Sequence, residues 1–469
     1  MFLPGFFLVI NRSQEQIAVG TNLNLMKKAL SVSLLVILLI IGVVVYIYYP
    51  RLDLITGFAA KNMCSCVYEA GRDPESVAAQ DNNFEPIYLS EFKLERDKKL
   101  ASSTVFGLKE RIAVYNEGFG CTLLPRGTNK NDLPPGKPQR LQPPLASPYP
   151  YGNEKPVDTL FPEVDYTRLE SALENAFFED QETRAVVVLY KGTLLAEEYA
   201  PGFDERTKLL GWSMTKSITS AIVGILQKQG GISVDKDDLF REWEKDSRAF
   251  ITVDNLLKMN SGLEWEEDYT KISDVTKMLF LSKDMSRVQL TKPLKSEPGV
   301  MWNYSSGTSN LLSGLIRDEF ESYQQYRDFW YSELIDRIGM YSMTLETDLA
   351  GNYVGSSYSW ATARDWAKFG QLYLNRGAWN GEQILTEDWI NYTIAPVAGS
   401  NGQYGAHFWL NVQGYYPDVP RDLFSANGFQ GQHVFIIPSK ELVVVRFGLK
   451  EHPDFDLNIF LREIIAGVE

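Results

Sequence analysis

Apolar strand-like runs on either side of a helical middle constrain the fold more than any other feature of this chain. Residues 184–199, RAVVVLYKGTLLAEEY, read as two strands around a Lys191-Gly192 turn. Residues 433–438 (HVFIIP) and 441–448 (ELVVVRFG) return to strand character, and residues 456–466 read as a closing helix. The stretch between is helical in pattern. Over residues 213–229, Met214, Ile218, Ala221, Ile222 and Ile225 recur at spacings of three and four and make one apolar face, which Gly230-Gly231 ends. Further helices are expected over 253–260, 307–318 and 362–376, the last with Thr362 as its N-cap. Strands that flank a helical middle and pair in one sheet, with the helices packed beside it, give an α+β architecture.

The 469 residues suggest one large or two intimate domains. Residues 29–49 carry no charge, which is about the length needed to cross a bilayer as a helix. Lys27 and Lys28 precede this run, and Tyr46, Tyr48 and Tyr49 close it, the pattern of an N-in, C-out anchor rather than a cleaved signal peptide. Met26 stands directly before Lys27, so both Met1 and Met26 are open as the start. Residues 51–130 read as irregular, and the proline-rich residues 133–156 as an extended connection. The expected organisation is a cytoplasmic segment (1–28), an anchor (29–49), an extension with a proline-rich linker (50–156) and a catalytic domain (157–469). The catalytic domain then lies outside the cytoplasm, in a periplasmic or extracellular setting. There a bridge from Cys64 or Cys66 to Cys121 is open, as are free buried thiols.

Much chemistry is excluded. The net charge of −14 disfavours nucleic acid as a partner. With three cysteines, three histidines and no HExxH, nothing has metal-ligand spacing, and no motif asks for a cofactor. There is no G-x-S-x-G elbow and no G-x-x-x-x-G-K-[ST] loop.

What remains is Ser213-Met214-Thr215-Lys216 at the start of the amphipathic helix. Residues i and i+3 share a helix face, so Lys216 can reach the Ser213 hydroxyl. A serine needs a base to become a nucleophile, and a lysine serves only with a lowered pKa. The same spacing recurs at Ser90 and Ser233, but in charged surroundings, and only Ser213 opens a helix directly after two strands. Tyr304, in PGVMWNYSSG, precedes a helix and can relay protons. Asn427-Gly428-Phe429-Gln430-Gly431-Gln432 leads into the HVFIIP strand. Its backbone can approach a substrate closely and supply an oxyanion donor beside the Ser213 N–H; a simple hairpin turn is the other reading.

These elements, in this order, resemble the β-lactamase/penicillin-binding superfamily, above all its class C-like hydrolases such as 6-aminohexanoate-dimer hydrolase and related esterases. GWSMTKS (211–217), LLKMNSGLEW (256–265), PGVMWNYSSG (298–307), SWATARDWAKFGQLYLNRGAWNGEQIL (359–385) and GFQGQHVFIIP (428–438) carry the resemblance. It implies a β-lactamase/transpeptidase-like fold, with an antiparallel sheet flanked by helices and a helical insert. It also implies an acyl-enzyme mechanism with Ser213 as nucleophile and Lys216 and Tyr304 moving protons. By the same alignment, Phe429 or Gln430 joins Ser213 in the oxyanion hole, and Ser306, Asn427 and Gly428 face the substrate. Two departures stand out. Ser306 replaces the asparagine of Tyr-x-Asn, and Ala426-Asn427-Gly428 replaces Lys-Thr-Gly, so the lysine that attracts a substrate carboxylate is missing. The resemblance therefore favours an ester or small amide over a penicillin or a peptidoglycan stem. Two rival readings are a Ser-His-Asp hydrolase built on His433 or His407, and a catalytically inactive exported binder of cell-wall or peptide ligands.

Overall fold

The computed structural model describes residues 26–468 except 41, 44, 47 and 144. The chain divides into a unit up to Asp53 and a larger one from Leu54 onward. In the first, residues 26–40 are helical and exposed. Among the described residues no helix is long and apolar enough to cross a membrane, so the expected anchor finds no support; its residues 41, 44 and 47 lie outside the described residues.

In the larger unit, the expectation of an irregular 51–130 is overturned. The helix Leu52–Cys64 is followed by a four-stranded antiparallel meander of β1 (Ser90–Glu95), β2 (Leu100–Val105), β3 (Leu108–Asn116) and β4 (Gly120–Leu123). The alternation that marks β1 is only Phe92 and Leu94 set between Glu91, Lys93 and Glu95, and its inner residues are half-buried. Charge on the open face hid a strand. Cys64 and Cys121 form a disulfide, and Cys66 is a buried free thiol. The buried Glu346 ties this extension to the core. Its carboxylate pairs with Lys61 and accepts from the Ser65 hydroxyl (2.7 Å), the Cys121 N–H (2.7 Å) and Trp360 Nε1 (3.0 Å).

The main sheet begins with β5 (Thr183–Tyr190) and β6 (Thr193–Tyr199). The middle adds a small sheet, β7 (Leu209–Leu210), β8 (Thr344–Leu345) and β9 (Ser359–Ala361), and a hairpin, β10 (Ala378–Trp379) with β11 (Glu382–Gln383). The chain then returns as β12 (Trp409–Leu410), β13 (Phe424–Gly428), β14 (Gln432–Ile437) and β15 (Leu442–Gly448). The final antiparallel order is β12-β13-β14-β15-β5-β6. The late strand β15 thus pairs with the early β5, as expected from strands flanking a helical middle.

The unbroken apolar run of β5 follows from burial on both faces. Val187 and Leu189 pack with Val434 and Val445 beneath helix Ala363–Leu374, in a core that also takes in residues of helix Thr215–Lys228. Val186 and Val188 pack with Phe435 and Val444 against helices Tyr166–Ala176 and Leu457–Gly467. The result is an antiparallel sheet flanked by helices, with a helical middle inserted between β6 and β12. Thr362 caps the helix Ala363–Leu374 by accepting from the Asp365 N–H, as its sequence predicts.

Candidate active site

β7 pairs with β9, and the Gly211 N–H donates to Ser359 O at 2.8 Å, which fixes the segment leading into the buried helix. A 3-10 turn, Trp212–Met214, runs straight into helix Thr215–Lys228. Trp212 sits at φ +46, a conformation costly for a bulky residue and held here by its burial among aromatic rings. Ser213 follows, half-buried, at the wall of a cleft of about 500 Å³.

One helical turn on, Lys216 is 1% exposed. Its Nζ donates to Ser213 Oγ (2.9 Å), Ser306 Oγ (2.9 Å) and Ser356 O (3.0 Å), three acceptors for three N–H bonds. Burial pushes the ammonium down to about 8, against an opposing pull from Glu267. Tyr304 packs its ring 4.8 Å from Lys216 Nζ. Burial and Glu267 hold its phenol protonated well above the ordinary tyrosine range, and the nearby Ser213 hydroxyl works the other way. Ser213, Lys216 and Tyr304 therefore meet in one place.

Other expected residues divide. Asn427, Gly428 and Phe429 line the cleft. Gly428 lies so near the nucleophile segment that a Cβ there would stand 2.2 Å from Gly211 O. Gly428→Ala is accordingly expected to push β13 off the Gly211–Ser213 segment and cut kcat by about 10-fold to 100-fold. Steady-state hydrolysis measured beside a melting curve checks whether the loss exceeds any unfolding. The Gln430 N–H, expected as one of two candidate oxyanion donors, donates instead to Glu451 Oε1 at 2.7 Å. Ser306 is corrected as a substrate contact. It is fully buried behind Lys216, where its hydroxyl accepts from the lysine and donates to Glu267 Oε1 at 2.5 Å. The other S-x-x-K copies lead nowhere: Lys93 is exposed beside Glu95, and Lys236 pairs with Glu319.

Glu267 and Ser356 belong to the site and were missed. Glu267 stands in an acid-rich run, WEEDY, in which nothing marks one carboxylate over another, and Ser356 contributes only a backbone oxygen. The histidines do not replace the lysine. His407 is buried, bonded to Lys216 O (3.0 Å) and Ser309 (3.2 Å), and pushed down to about 3 by burial, so it stays neutral. His433 Nδ1 is taken by Asn427 Oδ1 at 3.0 Å. Neither bonds Ser213 among the described residues.

The cleft walls are aromatic. Tyr269 stacks on Phe429 at 4.6 Å, Phe429 meets Trp212 edge-on, and Tyr304 packs against Trp409. Among the described lining residues the charged ones are Glu267, Asp268 and Glu451, all acids.

This geometry, a buried lysine one turn behind a serine at a sheet edge, sits inside a sequence match: residues 174–465 match the family described as Beta-lactamase. The chain belongs to the beta-lactamase family. Among curated relatives, 6-aminohexanoate-dimer hydrolase of Paenarthrobacter ureafaciens is 22% identical over 307 residues, covering 59% of this chain and 75% of the relative. A putative 6-aminohexanoate-dimer hydrolase from Bacillus anthracis superposes with a TM-score of 0.56 at 22% identity, covering 67% of this chain and 87% of that one. EstCE1, described as a hydrolase with promiscuous acyltransferase activity, gives 0.53 at 12% identity, over 65% and 98%. These structures share the beta-lactamase fold with this chain. They cover about two thirds of it.

Proposed function

We propose that this beta-lactamase family member is a serine hydrolase that cleaves esters or small amides through an acyl-enzyme on Ser213. The observation that carries the reading is the lysine's hydrogen-bond set. A neutral Lys216 has two N–H bonds, which Ser306 Oγ and Ser356 O accept, so its lone pair is left for the Ser213 hydroxyl 2.9 Å away. Lys216 takes the Ser213 proton as Oγ bonds to the carbonyl carbon. The N–H groups of Ser213 and Phe429 receive the oxyanion, with the helix N-terminus behind Ser213 favouring the charge. The proton then passes by way of Tyr304 to the leaving oxygen or nitrogen as its bond to carbon breaks. Water repeats the sequence in reverse sense, and the acid leaves with Ser213 restored.

The names of the relatives, a 6-aminohexanoate-dimer hydrolase and a hydrolase with promiscuous acyltransferase activity, support a hydrolase reading. The all-acidic charged lining disfavours a substrate carboxylate, so β-lactam turnover is expected to be negligible. We place the catalytic unit outside the cytoplasm, on the ground that a disulfide such as Cys64–Cys121 persists in oxidising surroundings.

A fluorophosphonate probe should add once to the protein, on Ser213, by intact mass and peptide mapping. Ser213→Ala should abolish both labelling and hydrolysis of p-nitrophenyl butyrate. Labelling that survives Ser213→Ala means that another serine is the nucleophile, and a folded protein that takes no label points to the binding reading.

A further inference from the structure

Lys216 works as a base only while its lone pair is free for Ser213, and Ser306 decides whether it is. A serine hydroxyl can accept from an amine or donate to its lone pair, and it rotates to suit. If Ser306 donated, it would compete with Ser213 for the lysine and quench the base. Its surroundings forbid that. The Ser306 hydroxyl donates to Glu267 Oε1 at 2.5 Å, and the Ser306 N–H donates to Glu267 Oε2 at 2.9 Å, so one carboxylate grips the residue twice. Trp265 Nε1 donates to Oε2 as well, at 2.5 Å, which fixes the carboxylate in turn. The side chain of Glu267 also reaches the cleft wall, but its oxygens are committed to Ser306 and Trp265.

We infer that Glu267 is a positioning residue: by holding the Ser306 proton it makes Ser306 an obligate acceptor for Lys216 and leaves the lysine lone pair to Ser213. This rests on the serine hydrolase reading above. Among the described residues, Tyr304 and His407 also face Lys216 and Tyr269 stands beside Ser306 and Glu267, and all three stay neutral over the working range because burial penalises their charged forms. Glu267 is thus the carboxylate that acts on the lysine, and it favours the ammonium form.

Glu267→Gln in the full chain is the direct test. The amide can donate to Ser306 as readily as accept from it, and its negative charge is gone. With p-nitrophenyl butyrate, kcat should fall about 10-fold while KM stays within about twofold, because the substrate contacts are unchanged. The rising limb of the pH profile should move to lower pH, since the charge that held the ammonium up is lost. Glu267→Asp should recover part of kcat and return the limb toward that of wild type. Ser306→Ala cuts the same link without touching the carboxylate and should lower kcat alike. The double variant should lose little more than Ser306→Ala alone, because the two residues act as one unit.

A residue that merely supported the fold would lower stability and leave the limb in place. An unmoved limb with kcat within about threefold of wild type overturns the inference, as does a loss confined to KM, or losses that add in the double variant. Should Glu267→Gln not fold, Ser306→Ala decides alone: kcat within about threefold of wild type overturns the inference. A wild-type protein without hydrolysis would remove the parent reading and this one together. Wild-type hydrolysis with an unaltered Glu267→Gln removes this one only.

Discussion

Lys216→Met is expected to lower kcat/KM for a short ester by about 10³-fold while the protein stays folded, since general-base catalysis contributes on that order. Methionine fills nearly the same buried volume, so the site survives and the base does not. What remains comes from the oxyanion donors and binding alone. Lys216→Arg should fare no better. A guanidinium stays charged, and its planar fork does not match three acceptors set around one ammonium. The wild-type pH profile carries the same information. The active form is the neutral amine, burial sets Lys216 at about 8, and so kcat/KM should rise between pH 7 and pH 9. His407, held near 3, and Tyr304, held well above its usual range, contribute no limb in that window. A stopped assay across pH 6–10 on wild type and Lys216→Met checks both statements. A flat wild-type profile, or a methionine variant within about tenfold of wild type, would show that Lys216 is not the base.

The parts of this site that lie along a single element were legible in the sequence. Ser213 and Lys216 are one helical turn apart, and the apolar spacing behind them identifies the helix that brings them together. Tyr304 stands just before a helix whose start, capped by Ser305, could be read from pattern. The buried strands announced themselves as VVVLY and VVVRF because both faces are covered. What escaped were the partners supplied from elsewhere. Glu267 is one acid among several in its run, and only the fold sets it against Ser306, 39 residues on. Ser356 acts through its backbone oxygen, which no residue type advertises. That the Gln430 N–H is engaged by Glu451, 21 residues away, was equally out of reach. The β1–β4 meander escaped because its edge strand β1 alternates Phe and Leu with charge, and the buried β2 and β4 are built from small and polar residues (LASSTV, GCTL) that carry too little apolar signal to stand out. Of the two close cysteines, only Cys64, at the end of its helix, comes within bonding reach of β4.

The extension reaches the site through the Phe58 ring stacked on Trp212 and through the buried Glu346, and Glu346→Ala is expected to cost about 3–5 kcal/mol of stability. Glu346 and Lys61 are both almost inaccessible, and the lysine also lies 4.1 Å over the Tyr358 ring. Removing the carboxylate strands a buried ammonium together with the Ser65 hydroxyl, the Cys121 N–H and the Trp360 indole N–H, each of which then lacks its acceptor. Glu346→Gln keeps an oxygen for some of these donors but turns an amide toward Lys61, so most of the cost should remain. Adding Lys61→Met should recover a large part of it, because an absent charge needs no partner. The effect should also reach catalysis. Trp360 belongs to β9, β9 pairs with β7, and the Ser359 oxygen on that same strand holds the Gly211 N–H just ahead of Ser213. Urea unfolding of the single and double variants, with kcat measured on the folded fraction, separates the two consequences. A loss below about 1 kcal/mol in Glu346→Ala would mean that water or a shifted neighbour replaces the carboxylate, and other ties, among them Arg184 of β5 with Asp81 and Lys208 with Glu69, would then hold the extension to the core.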